Sequence, residues 1–281
     1  MRKRLLSGIV LAGLVALAPS LSAQWPAYPE RNVPRTADGR IDMRAPAPRT
    51  ADGKVDFSGV WVNAWFVDGQ VRPLPVSPAG EPPAATFGDV FANFTGPLPL
   101  QPWAAQLKAA RKEQQSKDNP DAHCLPMGLM QFHMHPQPRK VIQSRDVLAI
   151  LYEGNSGVRQ IFTDGRPLPP ADAQPWWYGY SVGRYEGDTL VVEAGRFRDG
   201  GWLDIDGSPL TDAARWTERW TRPTFGAVQI DITIDDPKAY TRPFSVRVHH
   251  RLMTDTAAAD ADLIEFICEE NNQAPRLMVG K

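Results

Sequence analysis

From Phe57 to Cys268 the chain is built of short runs that alternate apolar and polar residues, and this alternation limits its fold more than any other feature. The runs are Phe57–Phe66, Lys140–Ser144, Val147–Glu153, Val158–Thr163 and Trp176–Tyr185, then Thr189–Phe197, Ala214–Arg222, Ala227–Asp235, Pro243–Met253 and Leu263–Cys268. Between them stand turn residues: Arg145-Asp146, Gly154-Asn155-Ser156-Gly157, Asp164-Gly165-Arg166-Pro167, Glu186-Gly187-Asp188 and Asp236-Pro237. Short connections between ten such strands make an all-β antiparallel meander. An open sheet of that size exposes two edges, so it must close into a β-barrel or split into a β-sandwich. With 9 Trp, 11 Phe and 6 Tyr in 281 residues there is ample material for a core. The balance of 31 Lys and Arg against 32 Asp and Glu leaves no basic excess for a nucleic-acid partner.

Three stretches break the alternation. Residues 24–56 hold a short duplication, Arg35-Thr36-Ala37-Asp38-Gly39 and Arg49-Thr50-Ala51-Asp52-Gly53, with little to bury. They read as an extended arm on the surface. The loop 67–102 carries eight prolines and is a lid or an ornament; its Asn93-Phe94-Thr95 matches a glycosylation sequon. Residues 102–117 are the one convincing helix, with Pro102 in its first turn and Trp103, Leu107 and Ala110 along one side. The barrel domain therefore runs over 57–271, and 272–281 form a C-terminal tail.

Residues 1–23 read as a secretory signal peptide. Arg2-Lys3-Arg4 is followed by the apolar run Leu5–Ala18 and the small-residue exit Pro19-Ser20-Leu21-Ser22-Ala23. The run is short of the roughly 20 residues a spanning helix needs, although an uncleaved anchor is the other reading. A periplasmic or secreted location follows. In that setting Cys124 and Cys268, an even pair, are expected to form a disulfide, with two buried thiols as the alternative.

Phe57-Ser58-Gly59-Val60-Trp61 places Gly-x-Trp at the opening of the first strand and in this resembles lipocalin-like barrels. The resemblance implies a Trp61 that closes the barrel floor against a basic residue of the last strands, Arg247 or Arg251. The chain also resembles a family of exported bacterial proteins of unassigned function. That likeness is carried by FSGVW (57–61), HCLPMG (123–128), LYEG (151–154), IFTDGRPLP (161–169), GYSVGRYEGDTLVVE (179–193), TIDDPKAYTRPF (233–244) and EFICEEN (265–271). It implies an exported β-rich protein and brings no chemistry.

Alternation also nominates a site. On Ala214–Arg222 one face carries Trp216, Glu218 and Trp220, and the other Arg215, Thr217, Arg219 and Thr221. The basic face belongs in water, so Glu218 turns inward between two indoles. Burial there would raise its pKa and suit it to general acid or base work. The competing reading is a carboxylate paired with a buried Arg. Glu265, between Leu263 and Ile267, is a second inward candidate. Trp176, Tyr178 and Tyr180 share a face and could line a substrate cavity, or else pack as core. Asp164 and Arg166 would stand at the barrel mouth, if not simply in a turn.

His133-Met134-His135 puts two imidazoles on one strand face and is a weak candidate for copper or zinc, since no third ligand is spaced with it. Surface histidines are the plainer account. Asp235-Asp236-Pro237-Lys238 lacks a calcium-loop pattern. No nucleophile elbow, phosphate loop or dinucleotide fingerprint occurs, so no cofactor is expected. The expectation is a cofactor-free exported enzyme of lyase, isomerase or hydrolase type, acting on a small, partly apolar molecule. The alternative is a periplasmic carrier of such a ligand.

Overall fold

The computed structural model describes residues 33–67, 70–71, 77–253 and 262–268. The expected signal peptide at residues 1–23 and the expected C-terminal tail at 272–281 lie outside the described residues. Nine strands form one closed barrel: β1 (Gly59–Asn63), β4 (Arg139–Gln143), β5 (Val147–Tyr152), β6 (Val158–Phe162), β7 (Tyr180–Glu186), β8 (Thr189–Gly195), β11 (Arg215–Thr224), β12 (Ala227–Asp235) and β13 (Phe244–Leu252). Four two-residue strands make two small ribbons beside it, β2 (Phe66–Val67) with β3 (Gln70–Val71) and β9 (Gly201–Trp202) with β10 (Pro209–Leu210). The ring closes because β1 pairs on both sides, Trp61 with Leu252 of β13 and with Arg139 of β4. The barrel alternative therefore holds and the sandwich does not.

The expected antiparallel order is broken once. An odd ring cannot alternate direction all the way round, so at least one neighbouring pair must be parallel. That pair is β6 and β7, joined only at Ile161–Ser181 and Phe162–Val182. The chain between them, residues 163–179, contains four prolines that cannot donate to a ladder.

Burial follows the alternation. Val228, Ile230, Ile232 and Ile234 of β12, with Val246, Val248 and Leu252 of β13, point inward and are almost wholly buried. Each such side chain stabilises the fold by about 1.5–3 kcal/mol. One end of the barrel is closed by Trp61, whose indole lies under the Arg222 guanidinium at 4.8 Å. Arg222 donates to the carbonyls of Asp56, Ser58 and Phe225 and ties the incoming arm to the floor. The basic residue beneath Trp61 thus comes from β11. Arg247 lies instead toward the outer side of β13, between Asp231 and Glu81, because its neighbours Val246 and Val248 take the inward positions.

Helix α1 (Pro102–Glu113) is shorter than expected and buries only Ala104. Trp103 is exposed and donates to the Lys238 carbonyl. Lys108 pairs with Asp89 and Lys112 with Asp206, holding α1 to neighbouring loops. The described part of the Pro-rich loop packs: Val90 and Phe91 are buried, Phe91 sits against Phe244, and Asn93 donates to the Ala84 carbonyl. In the arm, Arg35 and Arg49 each bind the carbonyl four residues on, at Gly39 and Gly53, so the duplicated sequence folds into twin turns.

A second helix, α2 (Leu129–Met134), plugs the barrel, with all six residues buried. Gly128 starts it where a Cβ would meet the Trp202 carbonyl at 1.8 Å. Pro136 stops it by holding His135 extended, at ψ 139. The expected strand at 263–268 is absent. Ile264 and Ile267 are exposed, and the segment is held by the disulfide between Cys268 and Cys124, with Cα atoms 5.6 Å apart.

Candidate functional site

The polar centre of the barrel is assembled from four elements. Glu218 projects inward from the middle of β11, between Trp216 and Trp220, as alternation requires. Arg159 reaches it from β6: Nη1 donates to both carboxylate oxygens, at 2.9 and 3.1 Å. Trp220 Nε1 donates to Oε2 at 2.6 Å. His133, delivered by α2, brings Nε2 to 3.2 Å from Oε1. Arg159 also binds Ser181 Oγ of β7 through Nε and Nη2. All these side chains are buried.

Electrostatics assign the charges. Burial pushes the Glu218 carboxyl up, but Arg159, His133 and Trp220 together hold it down at about 2. It is therefore ionised at neutral pH. The reading of Glu218 as a carboxyl with a raised pKa is reversed, because a guanidinium and an indole N–H stabilise the charge. Burial lowers the pKa of His133, Glu218 opposes this, and Arg159 and Arg139 reinforce it; the imidazole is neutral. Nε2 lies 3.2 Å from Glu218 Oε1 and 3.3 Å from Arg159 Nη1. Because Arg159 Nη1 already donates to both carboxylate oxygens, a proton on Nε2 directed at Glu218 satisfies both groups. Nδ1 is then the basic atom, and it makes no hydrogen bond among the described residues.

A second group adjoins the first. Arg139 of β4 donates through Nη1 to the His133 carbonyl at 2.7 Å and contacts His250 Nε2 at 2.6 Å; Nη2 binds the His135 carbonyl at 2.6 Å. Burial lowers Arg139 to about 10 and His250 well below the usual imidazole range. Tyr152 of β5 faces Arg139 directly across the ladder. Burial pushes its phenol up to about 12 although Arg159 and Arg139 both favour the ionised form. Phe132 of α2 stacks on Tyr152 at 4.2 Å, and Tyr178 meets Phe132 edge-on at 5.0 Å.

Of the nominated residues, Glu218, Trp216 and Trp220 come together inside the barrel. Trp176, Tyr180, Asp164 and Arg166 gather elsewhere, in a ledge on the outer side. Arg166 pairs with Asp164 at 2.6 Å, lies over Phe162 and donates to the Tyr180 hydroxyl. Trp176 and Tyr178 precede β7 rather than belonging to it: Gly179 adopts φ +66 and turns the chain there. Trp176 is exposed, while Tyr178 is half-buried and meets the interior at Phe132. Glu265 is exposed in the irregular segment before Cys268 and does not enter the barrel.

His133 and His135 do not share a strand face. On α2 they diverge, His133 into the core and His135 toward Phe87, with burial taking His135 down to about 4. No group of three metal-ligating side chains occurs among the described residues, and none of their helices is long and apolar enough to cross a membrane. The alternation pointed to Glu218 but not to His133, Arg159, Arg139 or Tyr152. Arg159 was the legible one, an Arg two residues before the inward Ile161.

No family model, curated protein or solved structure matches the chain.

The reading of the site therefore rests on its geometry.

Proposed function

We propose that the protein is an exported, cofactor-free enzyme that performs acid–base chemistry on a small, partly apolar molecule inside the barrel. The leader at residues 1–23 and the Cys124–Cys268 bridge support export to the periplasm or beyond. The observation that carries the reading is the buried pair of His133 and Glu218. A fixed carboxylate sets the tautomer of a neutral imidazole and leaves Nδ1 without a partner, the arrangement a general base requires. Nδ1 takes a proton from a carbon of the bound molecule or, for hydrolysis, from a water that attacks it and forms the new C–O bond. It returns that proton to a neighbouring carbon or to the departing group, giving isomerisation, elimination or hydrolysis. The roles change from the expected ones: Glu218 orients and stabilises the imidazolium that forms, and His133 moves the proton. Rings Tyr178, Phe132 and Tyr152 stand in contact from the half-buried Tyr178 to the buried Tyr152 and mark an apolar approach to the pair.

The carrier reading is favoured by the closed apolar wall around the pair, with Met127, Met130 and Met134 all buried. A carrier binds without turnover.

The test is proton exchange. The protein is incubated in D₂O with small ketones, enones and hydroxy acids, and deuterium incorporation and products are read by NMR. His133→Ala is expected to lose about 10²–10⁴ of the exchange rate. Exchange equal to buffer for every compound, with the wild type folded, overturns the enzyme reading.

A further inference from the structure

The buried charges around the pair do not balance. Among the described residues Glu218 is the one carboxylate inside the cluster, and Arg159 already takes both of its oxygens. Arg139, also buried, has no carboxylate: its hydrogen bonds go to the main-chain carbonyls of His133, His135 and Gln137 and to His250, held neutral by burial. Tyr152 cannot serve as the missing anion near neutrality, since its phenol keeps its proton.

Unsatisfied atoms occur on residues of this same cluster. Arg139 Nε and Tyr152 Oη have no well-formed hydrogen bond, and neither has His133 Nδ1. The three residues are 2 %, 4 % and 0 % exposed, so unfilled hydrogen-bonding capacity there is costly. They are also neighbours. Arg139 and Tyr152 face each other on β4 and β5, Arg139 grips the His133 carbonyl, and Phe132, next to His133, stacks on Tyr152. Two donors, Nε–H and O–H, thus belong to residues neighbouring the base in a cluster with a surplus positive charge.

We infer that the molecule taken by this site carries a carboxylate, bound by Arg139 and Tyr152 beside His133. This rests on the acid–base reading above and narrows its substrate to small carboxylic acids. The carboxylate accepts from Arg139 Nε–H and Tyr152 O–H, balances the second guanidinium, and presents the adjoining carbon to Nδ1. Charge-assisted bonds of this kind are the stronger ones, and they are stronger still away from water.

The experiment compares matched pairs by titration calorimetry and thermal shift: formate, acetate, cyclohexanecarboxylate and benzoate against their amides, at constant ionic strength. At least one acid is expected to bind about tenfold or more tightly than its amide. Tyr152→Phe and Arg139→Lys, the gentler changes, are expected to erase that preference while the circular-dichroism spectrum stays native. His133→Ala is expected to keep it. No acid bound in preference to its amide, or a preference that survives both variants in folded protein, overturns the inference. The two readings fail separately. Carboxylate binding without proton exchange removes the enzyme reading alone. Exchange on neutral ketones without any carboxylate preference removes this inference alone.

Discussion

His133 Nε2 stands 3.2 Å from Glu218 Oε1 and joins the plugging helix to the middle of β11, with Arg159 closing the other side of the same carboxylate. On the proposed reading a single carboxylate both holds the barrel interior together and sets the tautomer of the candidate base. Changes at this point are expected to register in stability and in chemistry at once.

Stability separates the two contributions. Glu218→Gln leaves the Arg159 guanidinium buried without a counter-charge, which costs about 3–5 kcal/mol. Urea denaturation of the variant against the wild type measures it. Replacing both partners, Arg159→Met with Glu218→Leu, removes the charge along with its partner and is expected to restore most of that loss. A single variant as stable as the wild type contradicts the pairing.

The pH dependence has two acid stages. His133, His135 and His250 all have pKa values lowered on folding, so the unfolded chain binds protons first. Stability is expected to be full above pH 6.5 and to fall below it, for His135 down to about pH 4. Glu218 is also depressed, from 4.5 to about 2, so its contribution is present above pH 4.5 and is lost between those values. On the alkaline side Tyr152 is raised from 10 to about 12, and its contribution is lost as pH climbs through that interval. Denaturation midpoints across pH 3–11, an interval spanning roughly one unit inside those limits, check the slopes. A flat profile between 6.5 and 4 contradicts the neutral buried histidines.

The disulfide closes a separation of 144 residues. If it acts by restricting the unfolded chain, reduction costs about 4–5 kcal/mol. Reducing agent is expected to lower the melting temperature by many degrees. An unchanged curve, or two thiols titrating in untreated denatured protein, contradicts the bridge.

The floor of the barrel offers an independent check. Arg222→Met retains bulk over Trp61 but loses the bonds to Asp56, Ser58 and Phe225, and is expected to cost about 2–3 kcal/mol. Trp61 emission should change with it. Wild-type stability and emission together would mean that Arg222 does not hold the arm.

The strand positions were legible because a period of two on a closed sheet puts one face in water and one in the core; β12 obeys it over its whole length, and β11 and β13 over most of theirs. Glu218 was legible for the same reason. What answers it was not, because pairing across a barrel depends on which strands become neighbours, and Arg159 on β6 lies two strands away from β8, β11's own partner. Helix α2 was missed for another reason. Six residues buried on every side show no helical period, and His133-Met134-His135 reads equally well as a strand. The run Leu263–Cys268 alternates yet pairs with nothing among the described strands, since the ring is already closed by β1 and β4. Trp176 and Tyr178 alternate with Tyr180, but Gly179 at positive φ starts the strand after them.

The most direct test of the central claim is the tautomer of His133, read by long-range proton–nitrogen NMR on protein with ¹⁵N-labelled histidine and assigned with His133→Asn. A neutral ring at pH 7, protonated on Nε2 and bare on Nδ1, is the predicted result. A ring protonated on Nδ1 alone, or an imidazolium at that pH, would contradict it.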